Sequence, residues 1–302
     1  MSLRDLASRE LPSGVDARAP SLAGPTLSDR DFERMGRFIE ARLGIRMPPA
    51  KRLMLESRLK RRLRALGMGT FREYCDFVLE APDTEVELVH LTSAVTTNKT
   101  DFFREPQHFK ILVDDVLPEL QGRVGLGPRR PLYLWSAGCS SGEEPYTLAM
   151  VLSEPGRRMR FGVDILASDI SMRVLERALR AVYSAEVIGP IAPELRKKHL
   201  LRRRDRPDVF RIAPELRELV RFRVINLLEA PYPVDRTQDV IFCRNVFIYF
   251  DRPTQERILR RFCDVLVPGG FLFLGHSETI TGLDVPLEAV APTVYRHVPR
   301  GR

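Results

Sequence analysis

Cysteine is scarce. The four in these 302 residues, Cys75, Cys139, Cys243 and Cys263, form no C-x-x-C pair. That argues against a disulfide framework or a zinc ribbon, and for free thiols in a reducing cytosol. The five histidines, His90, His108, His199, His276 and His297, show no metal-ligand spacing, so no metal is expected. No apolar run approaches the length of a bilayer span, so no membrane insertion is expected. The opening MSLRDLASRE has no apolar core of a secretion signal. Neither G-x-G-x-x-G nor a G-K-[ST] phosphate loop occurs, and no G-x-S-x-G elbow does. Together these absences disfavour a nicotinamide oxidoreductase, a P-loop nucleotidase and an α/β hydrolase. No internal repeat is visible.

What is present is a 44% hydrophobic chain, enough for packed cores, with a net charge of +8 that calls for an anionic partner. Its length favours two domains. Residues 1–25 are rich in Ser, Pro, Gly and Arg and read as a flexible tail. Residues 26–95 read as a small helical domain. Ser28 caps a helix carrying Phe32, Met35, Ile39 and Leu43 and stopped by Gly44, and Thr70 with Glu73 forms a capping box. Between them, KRLMLESRLKRRLR places Leu55, Leu59 and Leu63 at helical spacing and sets seven basic residues against one acid. The leucines explain a helix but not the charge. Either the cations are a solvated face, or they dock an anionic helix or a nucleic acid; their segregation favours docking. TTNKTDFFR, residues 96–104, reads as a hinge, followed by a helix over 105–120 and a Gly/Pro/Arg loop to residue 131.

From residue 132 strands and helices alternate, which predicts a parallel sheet. Strands are expected at 132–136, 163–168, 222–225, 239–243, 271–275 and 293–297. The interval 183–221 is too long for one crossover helix and predicts a small hairpin inserted at the sheet edge. The first strand runs into SAGCSSGEE, a loop of small residues opening a helix. Small residues let backbone approach a ligand, and strand ends of open α/β sheets bind ligands. Glu143 and Glu144 would repel a pyrophosphate. A cationic or zwitterionic ligand such as S-adenosylmethionine suits the loop better, though an ordinary strand–helix turn with dipole-facing acids is the alternative. Asp169, ending the second strand, is placed either for ribose hydroxyls or as a helix cap. Asn226 and Leu227 end the third strand, suited to the edge and face of an adenine. Asn245, after the fourth, lies where the reactive end of such a cofactor would be. All four loops share one edge of the sheet. No base or nucleophile is obvious, and a carboxylate acceptor needs none because it is ionised at neutral pH.

Six motifs then occur in order: TTNKTDFFRE, SAGCSSGEEPYTLA, ILASDIS, NLLEAPYP, IFCRNVFIYF and GGFLFLGHSE. From about Ser28 to its end the chain resembles the CheR-type chemotaxis receptor methyltransferases. The resemblance implies a Rossmann-like class I methyltransferase sheet over 132–302, an N-terminal all-helical domain and an inserted antiparallel β subdomain. It implies transfer of methyl from S-adenosylmethionine to chemoreceptor glutamates, with S-adenosylhomocysteine as product. Asn98, Thr100 and Arg104 would bind the methionine end, with Arg104 pairing its carboxylate. The segment from Gly138 through Gly142 to Glu143 and Glu144 would hold the amino group, by one acid or the other. Asp169 would take the ribose, and Asn226–Leu227 and Asn245–Val246 would line the remainder. Arg104 and Asn245 are then the residues nearest the chemistry. Lys51, Arg58, Arg61 and Arg62 would dock the cytoplasmic helices of a methyl-accepting receptor, in the cytoplasm, by a monomer, with no nucleic acid expected. The hairpin turn over 202–208 lacks the glycine with which some members grip a receptor's C-terminal peptide, so no tail-peptide binding is expected. The competing classes are a methyltransferase acting on another acidic protein or RNA, and a non-catalytic module that only binds cofactor.

Overall fold

The computed structural model describes residues 25–80, 85–96, 98–202 and 204–299. The tail expected over 1–25 lies outside them but for its last residue. The chain divides into two compact units between Thr96 and Thr97.

The first unit is helical: α1 (Asp29–Leu43), α2 (Arg52–Leu66), α3 (Phe71–Glu80) and α4 (Glu85–Val95). Local chemistry sets the ends. Ser28 Oγ accepts from Asp31 N at 3.1 Å, a cap of the kind worth about 1 kcal/mol. Gly44 and Gly67 stop α1 and α2 in the left-handed region. Thr70 and Glu73 form the reciprocal capping box, Glu73 N to Thr70 Oγ1 and Thr70 N to Glu73 Oε2, both 3.2 Å. The expected apolar faces are buried: Phe32, Met35 and Ile39; Leu55, Leu59 and Leu63; Phe71, Tyr74 and Val78.

The second unit opens with a helix that runs α5 (Pro106–Ile111), a π-turn (Leu112–Val116) and α6 (Leu117–Val124). The segment expected as a hinge and leading helix is therefore no separate piece. Phe102, Phe109, Leu112, Val116, Leu117 and Leu120 belong to the largest apolar core, together with sheet residues such as Leu134 and Phe242. Next come β1 (Leu132–Ala137), α7 (Glu143–Met159), β2 (Val163–Asp169), α8 (Met172–Arg180), β3 (Val182–Ser184), α9 (Pro193–His199), β4 (Leu200–Arg202), β5 (Val209–Ile212) and α10 (Pro214–Arg217). The unit ends with β6 (Val220–Val224), β7 (Gln238–Cys243), α11 (Arg252–Val265), β8 (Leu266–Leu274), β9 (Leu287–Ala291) and β10 (Val294–His297).

Seven strands form one sheet in the order β6-β2-β1-β7-β8-β10-β9. The first five run parallel, and β10 is antiparallel to both its neighbours. Alternate residues feed opposite cores, as the period of a strand requires. Leu134, Val240 and Phe242 pack with α7 and the 106–124 helix, while Trp135, Ile241 and Leu272 pack with Ile258, Leu259 and Phe262 of α11.

Three features differ from the sequence expectations. The insertion is a three-stranded sheet, β3-β5-β4, not a lone hairpin; β3 is only three residues long and carries no strand signal of its own. The last β8 strand starts at Leu266 and passes through Pro268–Gly269–Gly270, where a turn was expected, with a register shift opposite 238–240. The antiparallel edge strand β9 was not anticipated.

Candidate functional site

The site is built at the carboxyl edge of the parallel strands, where the loops after β1, β2, β6, β7 and β8 emerge together. The loop after β1 is fixed by close approach. Gly138 (φ 79°) and Gly142 (φ 97°) are left-handed. A Cβ on Gly138 would strike Val246 of the loop after β7, and one on Gly142 would lie 2.8 Å from Tyr183 Oη and 2.9 Å from Ala178 Cβ. Gly138 N and Cys139 N both donate to Ser168 O, at 2.7 and 2.8 Å, and tie the loop to the end of β2.

Asp169 is buried there. Its Oδ2 accepts Ser140 N at 3.0 Å and its Oδ1 accepts Ser171 N at 2.9 Å. It thus joins the loop after β1 to the head of α8, and the helix-terminal reading holds in part. Ile170 N–H is a third backbone donor to this carboxylate, which keeps part of its acceptor capacity for a further donor. Burial raises its pKa, while the backbone N–H donors oppose that rise.

The two acids at the head of α7 have different surroundings. Glu144 lies in a buried ion pair: Oε2 accepts Arg244 Nε at 2.7 Å, and Oε1 accepts Ser136 Oγ at 2.7 Å. Glu143, also buried, accepts the Ser141 hydroxyl at 2.8 and 3.0 Å and its own backbone N–H, and the charge of Arg177 acts on it. Burial raises the Glu143 pKa. Three raised, buried carboxyls, those of Glu143, Asp169 and Glu278, therefore surround this edge. Such a setting favours a cationic ligand, since a cation relieves the cost of burying the negative form.

The 98–105 peptide lies on the same loop. Asn98 O accepts Ser140 Oγ at 3.0 Å, and Phe103 N donates to Thr147 Oγ1 of α7 at 3.2 Å. Arg104 is half-buried, with its guanidinium 3.1 Å from Lys99 O, while its own carbonyl accepts Arg244 Nη1 at 2.7 Å. Phe103 and Glu105 both hold φ of 55°, a costly conformation for residues other than glycine, maintained by these contacts. Thr100 lies on the same peptide, half-buried. Of the remaining expected residues, Leu227 is buried beside Trp135 and Tyr232. Asn226 closes a turn, with Oδ1 accepting Leu228 N at 3.0 Å. Asn245 (φ 60°) donates its backbone N–H to Glu278 Oε2 at 2.9 Å. The structure brings all the expected residues of this unit to one edge.

Five site residues were missed as individuals; four of them sit inside the quoted motifs, and His108 lies just beyond the first. Arg244, 2% exposed in its side chain, stacks over Phe109 and Phe242 and joins α7, the 98–105 peptide and the loop after β7. Glu278 accepts backbone N–H groups from Gly275 at 2.6 Å, Phe247 at 2.8 Å, Asn245 at 2.9 Å and also Ile248, and so clasps the loop after β7. Glu105, His108 and His276 place their ligand atoms within 4.8 Å of one another, a grouping that linear spacing could not reveal. Arg244 already supplies a cation to it, at 3.5 Å from Glu105 and 3.4 Å from His108 Nδ1.

The basic helix also makes bonds within its own unit. Arg58 Nη1 donates to Ala94 O at 3.0 Å and Thr96 O at 2.9 Å, satisfying carbonyls at the end of α4. Arg62 forms a forked pair with buried Glu87, at 2.6–2.9 Å, which also accepts Tyr74 Oη at 2.8 Å. Lys51 Nζ donates to Arg46 O at 3.0 Å. Three of the four expected docking cations thus hold their own unit together. Arg61 faces solvent, on one stripe with Ser57, Arg64 and Leu53, which is 78% exposed.

Comparison with known proteins covers both units. Residues 98–295 match the family described as CheR methyltransferase, SAM binding domain, and residues 30–96 that described as CheR methyltransferase, all-alpha domain. Among curated relatives, a chemotaxis protein methyltransferase of Borreliella burgdorferi is 38% identical over 88% of this chain and 93% of its own. Chemotaxis protein methyltransferase 2 of Pseudomonas aeruginosa is 41% identical over 88% and 92%. A chemotaxis protein methyltransferase of Salmonella typhimurium is 41% identical over 89% and 90%.

Proposed function

The chain belongs to the CheR methyltransferase family, and on that footing we propose that it methylates glutamate γ-carboxylates on the cytoplasmic helices of a bacterial chemoreceptor. The products are glutamate methyl esters and S-adenosylhomocysteine. The observation that carries the cofactor assignment is the pair Glu143 and Asp169: two buried acids, unpaired with any arginine among the resolved bonds, flanking a glycine loop. When bound, S-adenosylmethionine supplies a methyl group activated by its sulfonium.

The chain's own residues then bind and orient. Glu143 holds the cofactor ammonium, and Arg104 pairs the carboxylate beside it. Asp169 accepts the ribose hydroxyls on its remaining lone pairs, and Leu227 packs the base. Asn245, fixed by Glu278, sits at the methyl end. No residue has to remove a proton, because the acceptor glutamate is already ionised at neutral pH. The rate enhancement comes from holding that carboxylate in line with the methyl group. The partner is an acidic receptor helix in the cytoplasm, docked by the exposed stripe of α2 around Arg61. The test incubates the protein with S-adenosylmethionine and a receptor cytoplasmic fragment, then maps the modification by mass spectrometry. A one-methylene mass gain on glutamate is expected. Methylation confined to other side chains or to RNA would refute the assignment.

A further inference from the structure

The inserted sheet has no role in the account so far. We propose that it is part of the framework of the cofactor loop, with Tyr183 as the positioning residue. Tyr183 is the middle residue of β3, paired with Phe210 of β5, and is 5% exposed. Its hydroxyl leaves the inserted sheet and donates to Ser141 O at 2.8 Å. Its ring meets Phe102 edge-on at 4.9 Å. A single side chain therefore touches the loop one residue before Gly142 and the 98–105 peptide between Thr100 and Arg104. These are the two segments that must face the methionine end of the cofactor.

Gly142 shows how tight the fit is. A side chain there would lie 2.8 Å from Tyr183 Oη, so the start of α7 and the first inserted strand occupy adjoining space with no slack. Burial keeps the phenol neutral, so it remains a donor. Without this contact the carbonyl of Ser141 loses its donor, and the turn that aims Glu143 loses its outer wall. Tyr183 acts through the loop and does not touch the cofactor.

The inference rests on the reading that this loop holds S-adenosylmethionine, so the experiment includes a variant of that site. Affinity for S-adenosylhomocysteine and the steady-state constants are measured for the full chain, for Tyr183→Phe, for Glu143→Gln and for Tyr146→Phe. Tyr146 is the control. Its buried hydroxyl donates to Ala178 O at 2.9 Å in the same core, a bond of the same kind that does not hold the Ser141 carbonyl. Tyr183→Phe is expected to raise Kd and KM about three- to tenfold with kcat within about twofold, as loss of one buried hydrogen bond that holds a binding loop implies. Tyr146→Phe is expected to leave both near the wild-type values. If Glu143→Gln weakens binding and Tyr183→Phe does not, the positioning role is wrong while the site stands. If Tyr146→Phe weakens binding as much as Tyr183→Phe, the effect is general core loosening and the role is again wrong. If Glu143→Gln leaves affinity unchanged, the loop is not the cofactor site and the inference falls with it.

Discussion

Glu143 and Glu144 are adjacent, chemically identical and both buried, yet exchanging each for glutamine should damage different properties. A cofactor ammonium about 4 Å from the Glu143 carboxylate would gain about 4 kcal/mol at an effective dielectric constant near 20. Desolvation and the oxygen that glutamine retains return part of this. About 2 kcal/mol remains, which is about a 30-fold rise in Kd for S-adenosylmethionine. Stability should hold or rise slightly in Glu143→Gln. The pKa of Glu143 is raised in the fold, so ionising it works against the native state at neutral pH, and glutamine removes that cost. Glu144→Gln should do the reverse. It leaves the buried Arg244 guanidinium without its 2.7 Å carboxylate partner, a change of the kind that costs about 3 kcal/mol of stability. Titration calorimetry gives the first quantity and urea unfolding the second. Unchanged affinity in Glu143→Gln, or undiminished stability in Glu144→Gln, would refute this division of roles.

Other outcomes follow from the same geometry. Asp169→Ala should weaken cofactor binding at least tenfold, because two loop N–H groups and the ribose lose one acceptor, and calorimetry would show it. The pKa of His108 is lowered to about 4 by burial first and by Arg244 second. The unfolded state therefore binds more protons below pH ~6.5, so this group's contribution to stability, up to about 3 kcal/mol, should be present above that pH and lost as pH falls toward 4. His108→Gln should flatten that part of the urea-stability profile. Arg61→Glu should slow receptor methylation with unfolding midpoint and cofactor affinity unchanged, whereas Arg58→Glu should lower the unfolding midpoint of its helical unit, because it uncaps α4. A receptor tail peptide should show no micromolar binding by fluorescence anisotropy, since the turn over 202–208 has no glycine.

Much of this was legible in the chain because it is local. Caps such as Ser28 and Thr70–Glu73 act within four residues, and the expected strands end within one residue of where periodicity and small-residue loops mark. The common edge of Asp169, Asn226 and Asn245 follows once the sheet is known to be parallel. What stayed hidden is non-local. Arg244 pairs with Glu144 across a hundred positions, and His276 meets Glu105 across 171. No window of sequence contains both members. The bonds made by the basic helix were hidden for the same reason. Charge segregation is visible in a line of residues, but the Glu87 and Ala94 partners of Arg62 and Arg58 lie on another helix. The β3 strand escaped because three residues carry no period, although its Tyr183 buttresses the loop that the sequence marked first.

The most direct test of the central claim uses methyl-labelled S-adenosylmethionine with membranes that contain the receptor. Label should enter the receptor and leave in mild base as volatile methanol, the signature of a carboxyl methyl ester. Label that resists base, or no transfer to any of a panel of receptors by protein that binds the cofactor, would contradict it.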